Sequence, residues 1–318
     1  MTKGSALITG ASGFIGTHLA RRLAAAGVRP VCLDLKPPRE RLPGAVYITA
    51  DIRNLTEVDI PEIDAIWNLA AVHTTPGHPD HEYYDTNVNG ALEVVRLADR
   101  CGVRSIVFTS SISIYGPSED RKTEDSAPAP TSAYGKSKLM AERIHQNWQT
   151  AAPDRRLMVV RPAVVFGPGE GGNFTRMAAL LKKGFFVFPG RRDTIKSCIY
   201  VDDLLDLMAD ADARGYDSVV INGAYPECPT LEYIVSALKT RYFANATLID
   251  VPRTVVLGGA SLIGSLNGVG GIHPDRVRKL LKSTHVYPQW AADRQLLPTG
   301  ALDKAIDRWA SATDRQFV

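Results

Sequence analysis

The segment GASGFIG at residues 10–16 decides the fold of this chain. It follows a short apolar run at residues 6–9 and opens a helical pattern at residues 14–26 that ends at Gly27. Glycines at this spacing allow a tight turn and a close backbone approach between a strand and a helix. The unpaired N–H groups and the positive dipole end of such a helix attract a pyrophosphate. The segment therefore predicts a strand–turn–helix unit that binds a dinucleotide.

Short runs rich in β-branched residues continue to alternate with helical patterns through the first half of the chain. This alternation is typical of βαβ units, in which each crossover helix returns the chain to a parallel strand. We therefore predict an α/β fold with a doubly wound parallel sheet. The predicted strands are residues 6–9, 31–35, 46–49, 65–69, 105–109, 157–160 and 218–222, and the longer helices are residues 82–100 and 132–148.

The regular alternation of strands and helices ends near residue 167, where shorter helical patterns and stretches rich in Gly and Pro begin. We predict a nucleotide-binding domain at residues 1–165 and a smaller C-terminal domain at residues 166–318. The second domain is expected to return to the sheet near residues 196–222.

The composition is that of an ordinary globular protein, with 318 residues, 45% of them apolar and 22% charged. The 37 basic and 34 acidic residues give a formal charge of +3 without long runs of either sign. This balance disfavours a nucleic-acid-binding protein. The four cysteines lie far apart in the sequence, so we expect reduced thiols rather than disulfides or a zinc site.

The N-terminal region lacks the uninterrupted apolar core and the cleavage site of a signal peptide. An uncharged stretch at residues 254–272 is long enough to cross a membrane, but several glycines, two serines and an asparagine interrupt it. We expect this stretch to be a packed helix or loop. The sequence thus predicts a cytoplasmic protein with no membrane partner.

Asp34 ends the second predicted strand, about 20 residues after the glycines. A carboxylate at this position would accept hydrogen bonds from both adenosine ribose hydroxyls and would repel a 2′-phosphate. NAD is therefore favoured over NADP, although the nearby Lys36 and Arg39 leave NADP open. The alternative interpretation is an aspartate that only initiates a turn.

Tyr134 and Lys138 are four residues apart in a helical pattern and project from one face. An ammonium group and a bound cationic nicotinamide would lower the pKa of the phenol toward the working range, which makes the two residues a usable acid–base pair. Ser110 and Ser111 follow the strand at residues 105–109, where a hydroxyl could share a proton with Tyr134. The alternative role for either serine is capping or a turn.

His73, His78 and His81 lie in a stretch rich in Pro and Gly that lacks a well-spaced carboxylate partner. This pattern favours a loop over a metal site, and no metal is predicted.

With these features in order, the chain resembles the extended short-chain dehydrogenase/reductase family, in its nucleotide-sugar epimerase and dehydratase branch. The resemblance covers nearly the whole chain. It implies a Rossmann sheet followed by a substrate-binding C-terminal domain. It rests on residues 9–16, 34, 51–52, 68–71, 86–90, 110–116, 134–138, 161–168 and 200–203.

The resemblance implies that Tyr134 is the catalytic base, that Lys138 holds the nicotinamide ribose and that Ser111 is the serine of the catalytic triad. Asp51 and Ile52 would lie beside the adenine. The full set implied to bind NAD is Gly10, Gly13, Phe14, Ile15, Gly16, Asp34, Asp51, Ile52, Leu69, Ala70, Ala71, Tyr134 and Lys138.

On the substrate side, the resemblance implies that Asn173 contacts the diphosphate with help from helix N-terminal amides. Lys196 stands where many relatives carry Arg, and Arg276 is a further candidate for phosphate. Family dehydratases place an acidic pair directly after the triad residue, and Ile112 and Ser113 in those positions disfavour dehydration. The implied substrate-binding set is His73, Ser111, Asn173, Val187, Phe188, Lys196 and Arg276, with Val187 and Phe188 packing the nucleotide base.

The implied activity is an NAD-dependent nucleotide-sugar 4-epimerase that acts on a UDP-sugar through a 4-keto intermediate. A reductase of 4-keto nucleotide sugars that consumes NAD(P)H is the main alternative, and a non-catalytic dinucleotide sensor is a third. A homodimer is also implied, joined through the helices at residues 82–100 and 132–148. These helices carry extra apolar residues, namely Leu92, Val95, Leu139, Met140 and Trp148.

Overall fold

The computed structural model describes residues 4–75, 77–252 and 281–318. Seven parallel strands form its main sheet, in the order β11-β7-β5-β4-β1-β2-β3. The predicted doubly wound parallel sheet is confirmed. The strands are β1 (Ser5–Thr9), β2 (Arg29–Asp34), β3 (Val46–Thr49), β4 (Ala65–Asn68), β5 (Ser105–Thr109), β6 (Ser118–Lys122), β7 (Arg156–Pro162), β8 (Val164–Phe166), β9 (Phe185–Pro189), β10 (Cys198–Tyr200), β11 (Ser218–Gly223), β12 (Thr247–Val251) and β13 (Thr284–Val286).

Helices cover both faces of this sheet, as buried parallel strands require. Apolar residues of α2 and α3 pack on one face, and those of α1 and α5 pack on the other. A 3₁₀ helix (Ile112–Tyr115) follows β5. The helices are α1 (Phe14–Ala25), α2 (Asp80–Arg100), α3 (Ala133–Thr150), α4 (Asn173–Lys182), α5 (Val201–Arg214), α6 (Leu231–Tyr242), α7 (Gln289–Ala292) and α8 (Ala301–Ala312).

In the part of the chain that the structure describes, three two-stranded parallel sheets lie outside the main sheet: β8 with β10, β9 with β12, and β6 with β13. The sequence analysis assigned none of these six short strands. β11 extends the main sheet beside β7, whereas β10 pairs with β8 outside it. The boundary near residue 165 stays a prediction.

All four cysteines are free thiols. Within the described ranges, no helix combines the length and the hydropathy needed to cross a membrane. The uncharged stretch at residues 254–272 and the candidate Arg276 both lie outside the described residues.

Candidate active site

The site lies at the carboxyl ends of the strands, where the strand order reverses between β1 and β4. Crossovers leave these two neighbouring strands in opposite directions, which opens a crevice that ligands use in such sheets. The hydroxyl of Thr9 at the end of β1 donates to Oδ1 of Asn68 at the end of β4 (2.8 Å). This buried bond holds the two loops that follow the strands side by side.

The glycine loop after β1 is packed so closely that side chains are excluded. Gly10 has φ +70°, and a Cβ there would lie 2.8 Å from the backbone N of Ala70. A Cβ on Gly16 would overlap the carbonyl oxygen of Gly10. Helix α1 then begins after Gly13 without a side-chain cap and without an acidic residue in its first turn. The uncapped amides and the bare backbone fit the pyrophosphate of NAD.

The adenosine end of this site carries both an acid and a cation. Asp34 accepts hydrogen bonds from the backbone N of Ser12 (3.0 Å, Oδ2) and of Lys36 (2.9 Å, Oδ1). The exposed Arg39 guanidinium donates to the carbonyls of Ser12 (3.2 Å) and Gly169 (2.9 Å). Asp34 therefore stabilises the glycine loop through hydrogen bonds. Arg39, one of the two cations that left NADP open, lies beside the same loop.

The loop after β4 is fixed by Asn87 of α2. Its amide accepts from the N–H of Val72 (2.9 Å), donates to the carbonyl of Val72 (3.1 Å) and donates to the hydroxyl of Ser137 (2.9 Å). Asn87 thus joins the loop containing Leu69, Ala70 and Ala71 to α3. The sequence analysis quoted Asn87 within a motif but gave it no role.

Of the two residues expected beside the adenine, Ile52 is buried and packs against Gly90 of α2. Asp51 is half-buried, and its carboxylate binds the guanidinium of Arg53 (Nε to Oδ1, 3.0 Å). That ion pair holds the pKa of Asp51 below its usual range. Their contact with adenine stays a prediction.

Ser111 and Tyr134 come together across the start of α3. Ser111 caps the 3₁₀ helix after β5 by accepting from the N–H of Ser113 (3.1 Å), and it acts to lower the pKa of Tyr134 against the larger effect of burial. Ser111 thus combines the capping role with a position beside the predicted base. One turn further along α3, Lys138 is only 2% exposed, and its Nζ lies 4.5 Å from the ring centre of Phe108. All three predicted catalytic residues therefore lie at the carboxyl end of β5.

Burial has the largest effect on the pKa values of Tyr134 and Lys138. It raises the pKa of Tyr134, and Ser111 opposes that rise only in part. It also lowers the pKa of Lys138 to about 7, against the opposing charge of Glu142. In the protein without its cofactor, the cost of burying the phenolate outweighs the contributions that lower its pKa, and the predicted lowering by Lys138 together with a bound nicotinamide stays a prediction.

A buried ion pair joins α3, the helix that carries Tyr134 and Lys138, to β7. The Arg161 guanidinium binds both carboxylate oxygens of Glu142 (3.0 and 2.9 Å) and donates to the hydroxyl of Tyr115 (2.7 Å). Tyr115 in turn donates to Oδ1 of Asn222 in β11 (2.9 Å). Sequence reasoning missed this network, although the spacing of Glu142 one turn after Lys138 was a usable signal.

On the substrate side, Asn173 is the exposed first residue of α4. The amides expected to assist it are already occupied. Glu170 accepts from the N–H groups of Phe174 (3.4 Å) and Thr175 (3.0 Å), and also from the hydroxyl of Thr175 (2.7 Å). The expectation of free helix N-terminal amides at α4 was therefore wrong, because a carboxylate of the chain itself satisfies them.

The predicted base-packing residues differ in exposure. Phe188 is only 1% exposed, with the guanidinium of Arg192 4.6 Å from its ring centre, whereas Val187 is half-buried in β9. Lys196 donates from Nζ to the carbonyl of Lys282 (2.6 Å), and burial lowers its pKa to about 8. The ligand contacts of all three stay predictions.

His73 follows the loop after β4 and is exposed. The pKa of His73 is lowered mainly by desolvation, which disfavours the charged imidazolium. The positive charge of Lys138 lowers it further. His78 instead binds Glu82 through its Nδ1 (2.7 Å). Among the residues that the structure describes, no three His, Cys, Asp or Glu side chains lie close enough to hold a metal ion.

A sequence model of the NAD dependent epimerase/dehydratase family matches residues 6–220. The chain belongs to this family. The resemblance to the extended short-chain dehydrogenase/reductase family is thereby confirmed, and NAD is confirmed as the cofactor at the level of the family.

Two of the named relatives are 4-epimerases. The chain is 34% identical over 205 residues to the N-acetyl-alpha-D-glucosaminyl-diphospho-ditrans,octacis-undecaprenol 4-epimerase of Escherichia coli O157:H7, covering 64% of this chain and 61% of that protein. It is 35% identical over 185 residues to the UDP-glucose 4-epimerase of Neisseria meningitidis serogroup B, covering 52% and 54%. The matched region thus spans less than two thirds of either relative.

The fold extends further than the sequence match. A mutant UDP-glucuronic acid 4-epimerase from Bacillus cereus, solved with UDP-4-deoxy-4-fluoro-glucuronic acid and NAD, superposes with a TM-score of 0.76. The superposition covers 98% of both chains at 21% identity. At this identity the likeness establishes the fold alone.

Proposed function

We propose that this chain is an NAD-dependent nucleotide-sugar 4-epimerase that acts on a UDP-sugar through a transient 4-keto intermediate. The observation that carries the proposal is the placement of Tyr134 and the buried Lys138 one turn apart on α3, with Ser111 at the end of β5 beside them. In an NAD-dependent family, a phenol held in this way serves as the acid–base group for oxidation of an alcohol. The relatives named as 4-epimerases support the choice of the C4 centre.

When bound, NAD supplies the hydride acceptor for C4 of the sugar and the donor that returns the hydride to the opposite face. The chain itself handles the proton. The oxygen of Tyr134 takes the proton of the C4 hydroxyl as the ketone forms and gives it back when the ketone is reduced. Ser111 orients that oxygen, and Lys138 supplies a positive charge near it. No net oxidation or reduction of the sugar results.

The substrate anchor is proposed to be a diphosphate held by Asn173 and Lys196. A 4-keto ring must turn in the site without leaving, so the binding energy belongs in the remote part of the substrate. Both relatives are named for sugars linked through a diphosphate, to uridine in one and to undecaprenol in the other. We propose that Val187, Phe188, His73 and Arg276 complete the substrate contacts.

A homodimer through α2 and α3 belongs to the same proposal. Leu92 is 36% exposed and Met140 is 48% exposed, so both can face a partner. Trp148, expected at the same surface, is instead buried and donates from Nε1 to Asp99 (2.9 Å), because it joins α3 to α2 within one chain. Light scattering that gives the monomer mass of 34.6 kDa at all concentrations would reject the dimer. The cytoplasmic location likewise stays a prediction.

The test is to incubate the purified protein with a panel of nucleotide sugars, in ordinary and in deuterated buffer, and to identify the products by NMR. Interconversion of C4 epimers without added reduced cofactor is expected. Tyr134→Phe should lower turnover by about 10²–10⁴-fold while NAD stays bound, since only the proton-transferring oxygen is lost. The exposed Tyr233→Phe is the matched control.

Two outcomes would contradict the proposal. A requirement for stoichiometric reduced cofactor would favour the 4-keto reductase. Full activity of Tyr134→Phe would show that another group is the base.

A further inference from the structure

Tyr83 of α2 lies between the loop after β4 and the proposed catalytic base. Its side chain is only 3% exposed, and its hydroxyl donates to the carbonyl oxygen of Thr74 (2.6 Å). The centre of its ring lies 6.2 Å from that of Tyr134, with the two ring planes tilted by 58°. Aromatic rings in such an arrangement attract each other. One buried side chain therefore contacts both a residue of the loop and the base.

Asn87 makes a parallel connection one helical turn further along α2. Its amide binds the N–H and the carbonyl of Val72 and donates to the hydroxyl of Ser137 on α3. Residues four apart lie on the same face of a helix. This face of α2 thus contacts residues 72 and 74 of the loop together with residues 134 and 137 of α3.

His73 lies between the two loop residues that α2 holds, and its side chain is exposed. It belongs to the set proposed to contact the substrate. The preceding part of the loop, expected along the cofactor, is held by other groups. The N–H of Leu69 donates to the carbonyl of Thr9 (3.1 Å), and the N–H of Ala70 donates to the Thr9 hydroxyl (3.3 Å). The Tyr83 hydroxyl therefore anchors the substrate part of this loop rather than the cofactor part.

We propose that Tyr83 is a positioning residue whose two parts have separate roles. Its hydroxyl holds residues 72–75 in the conformation that presents His73 to the sugar, and its ring holds Tyr134 in place for proton transfer. For its effect on turnover, this inference rests on the proposed function.

The two parts should affect different kinetic constants. Without the hydroxyl, the loop loses one anchor, and substrate binding must then order it at the cost of one hydrogen bond. KM should rise while kcat is kept, because the ring still packs on Tyr134. Without the ring, the base loses a packing contact, and a displacement of a reacting group by about 1 Å can cost about 100-fold in rate.

The experiment compares Tyr83→Phe and Tyr83→Leu with the wild type, using the UDP-sugar that the wild type turns over fastest. Tyr83→Phe should raise KM by about two- to tenfold and change kcat and NAD affinity by less than about twofold. Tyr83→Leu should raise KM in the same way and also lower kcat by about tenfold or more. The control Tyr233→Phe removes an exposed hydroxyl that binds Asp303 (3.2 Å) and should leave all three quantities unchanged.

A merely structural role gives a different pattern. Loss of stability alone reduces the amount of folded enzyme, which lowers the apparent kcat at an unchanged KM. An unchanged KM in Tyr83→Phe, or an equal loss of NAD affinity, overturns the role of the hydroxyl. A kcat in Tyr83→Leu equal to that of Tyr83→Phe overturns the role of the ring. Tyr83→Met, with a more adaptable side chain, takes the place of Tyr83→Leu if that variant fails to fold.

A second measurement needs no substrate. Cleavage of the NAD-loaded protein by proteinase K within residues 72–75, located by mass spectrometry, reports how often these residues leave their native conformation. Tyr83→Phe should be cleaved there about two- to tenfold faster than the wild type, and equal rates overturn the role of the hydroxyl. If the wild type turns over no nucleotide sugar, the proposed function fails, while this measurement still decides whether the Tyr83 hydroxyl holds the loop.

Discussion

The N-termini of α1 and α4 were both expected to bind phosphate, and the structure treats them in opposite ways. Helix α1 begins after Gly13 with no capping side chain and no acidic residue in its first turn. At α4, the Glu170 carboxylate accepts from two backbone amides and from the hydroxyl of Thr175. One helix end is left open for an anion, while the other already holds one.

The difference teaches that a glycine-rich loop before a helix does not by itself make a phosphate site. Both loops are rich in glycine, but the loop before α4 supplies its own carboxylate. An internal carboxylate satisfies the same orphan N–H groups and the same helix dipole that a phosphate would. The cofactor end of the site is therefore preformed, and we expect the proposed substrate end to rely on side chains such as Lys196.

The largest effect is expected when the N-terminus of α1 is given a capping carboxylate like that of α4. Gly13 has φ −70°, which other residues adopt, so Gly13→Asp can cap the helix. We expect NAD affinity to fall by about 100-fold, since the new carboxylate takes the amides and repels the pyrophosphate. Calorimetric titration measures this. Gly13→Ala controls for the added Cβ, which meets the Gly10 carbonyl at 3.1 Å, and an equal loss in both variants would reject the electrostatic explanation.

The acid at the adenosine end should set the choice of cofactor. Asp34→Asn keeps the shape of the side chain and removes its charge beside Ser12 and Lys36. We expect the preference for NAD over NADP to fall by about tenfold, because the repulsion of a 2′-phosphate is lost. Titrations with both cofactors give the ratio. A wild type that already binds NADP more tightly would show that Arg39 or Lys36 dominates.

The substrate end is tested by Lys196→Ala, with the exposed Lys183→Ala as control. We expect nucleotide-sugar affinity to fall by about five- to tenfold with NAD affinity unchanged, since one charge-assisted contact is lost. Burial lowers the pKa of Lys196 to about 8, so its positive charge is present below that pH and is lost above it. The difference between wild type and variant should therefore shrink as pH rises above about 8. Unchanged binding at pH 7 would leave Arg276 as the next residue to test.

The smallest effect is expected when the carboxylate that caps the N-terminus of α4 is removed. Glu170→Ala removes the cap and should lower the free energy of unfolding by about 1 kcal/mol, which thermal denaturation measures. Binding of the nucleotide sugar should change by less than about threefold, because the amides of α4 do not serve the substrate. Binding that becomes tenfold tighter would instead mean that a diphosphate competes with Glu170 for this helix end.

Local patterns carried most of the fold prediction. The glycine loop, Asp34 and the strands of the main sheet were recognised because glycine spacing and apolar periodicity are written within a few neighbouring residues. The position of Ser111 at the carboxyl end of β5 was expected from the rule that ligands bind at the carboxyl ends of parallel strands, and its catalytic role stays a prediction. These features can be predicted without knowing which residues distant in the sequence they contact.

Features that depend on distant partners escaped prediction. The strands β6, β8, β9, β10, β12 and β13 are three to five residues long and pair outside the main sheet, so no periodicity marks them. Trp148 was expected at the surface, but it is buried and donates a hydrogen bond to Asp99 of α2. Glu170 caps α4 from a loop position outside the usual capping pattern, in which the acid follows the cap by three residues.

The pairing of β6 with β13 sets the order in which the site can be completed during synthesis. All seven main strands have been made once Gly223 has emerged. The segment after the 3₁₀ helix still lacks several of its partners, since Glu119 binds Ser283, which lies 164 residues further on, and Glu124 accepts from the backbone N of Gln289 and Trp290. A nascent chain can thus form its dinucleotide fold while the strand that follows Ser111 and Ser113 is still unpaired. The contacts of this segment with residues 283–290 can therefore form only after those residues have left the ribosome.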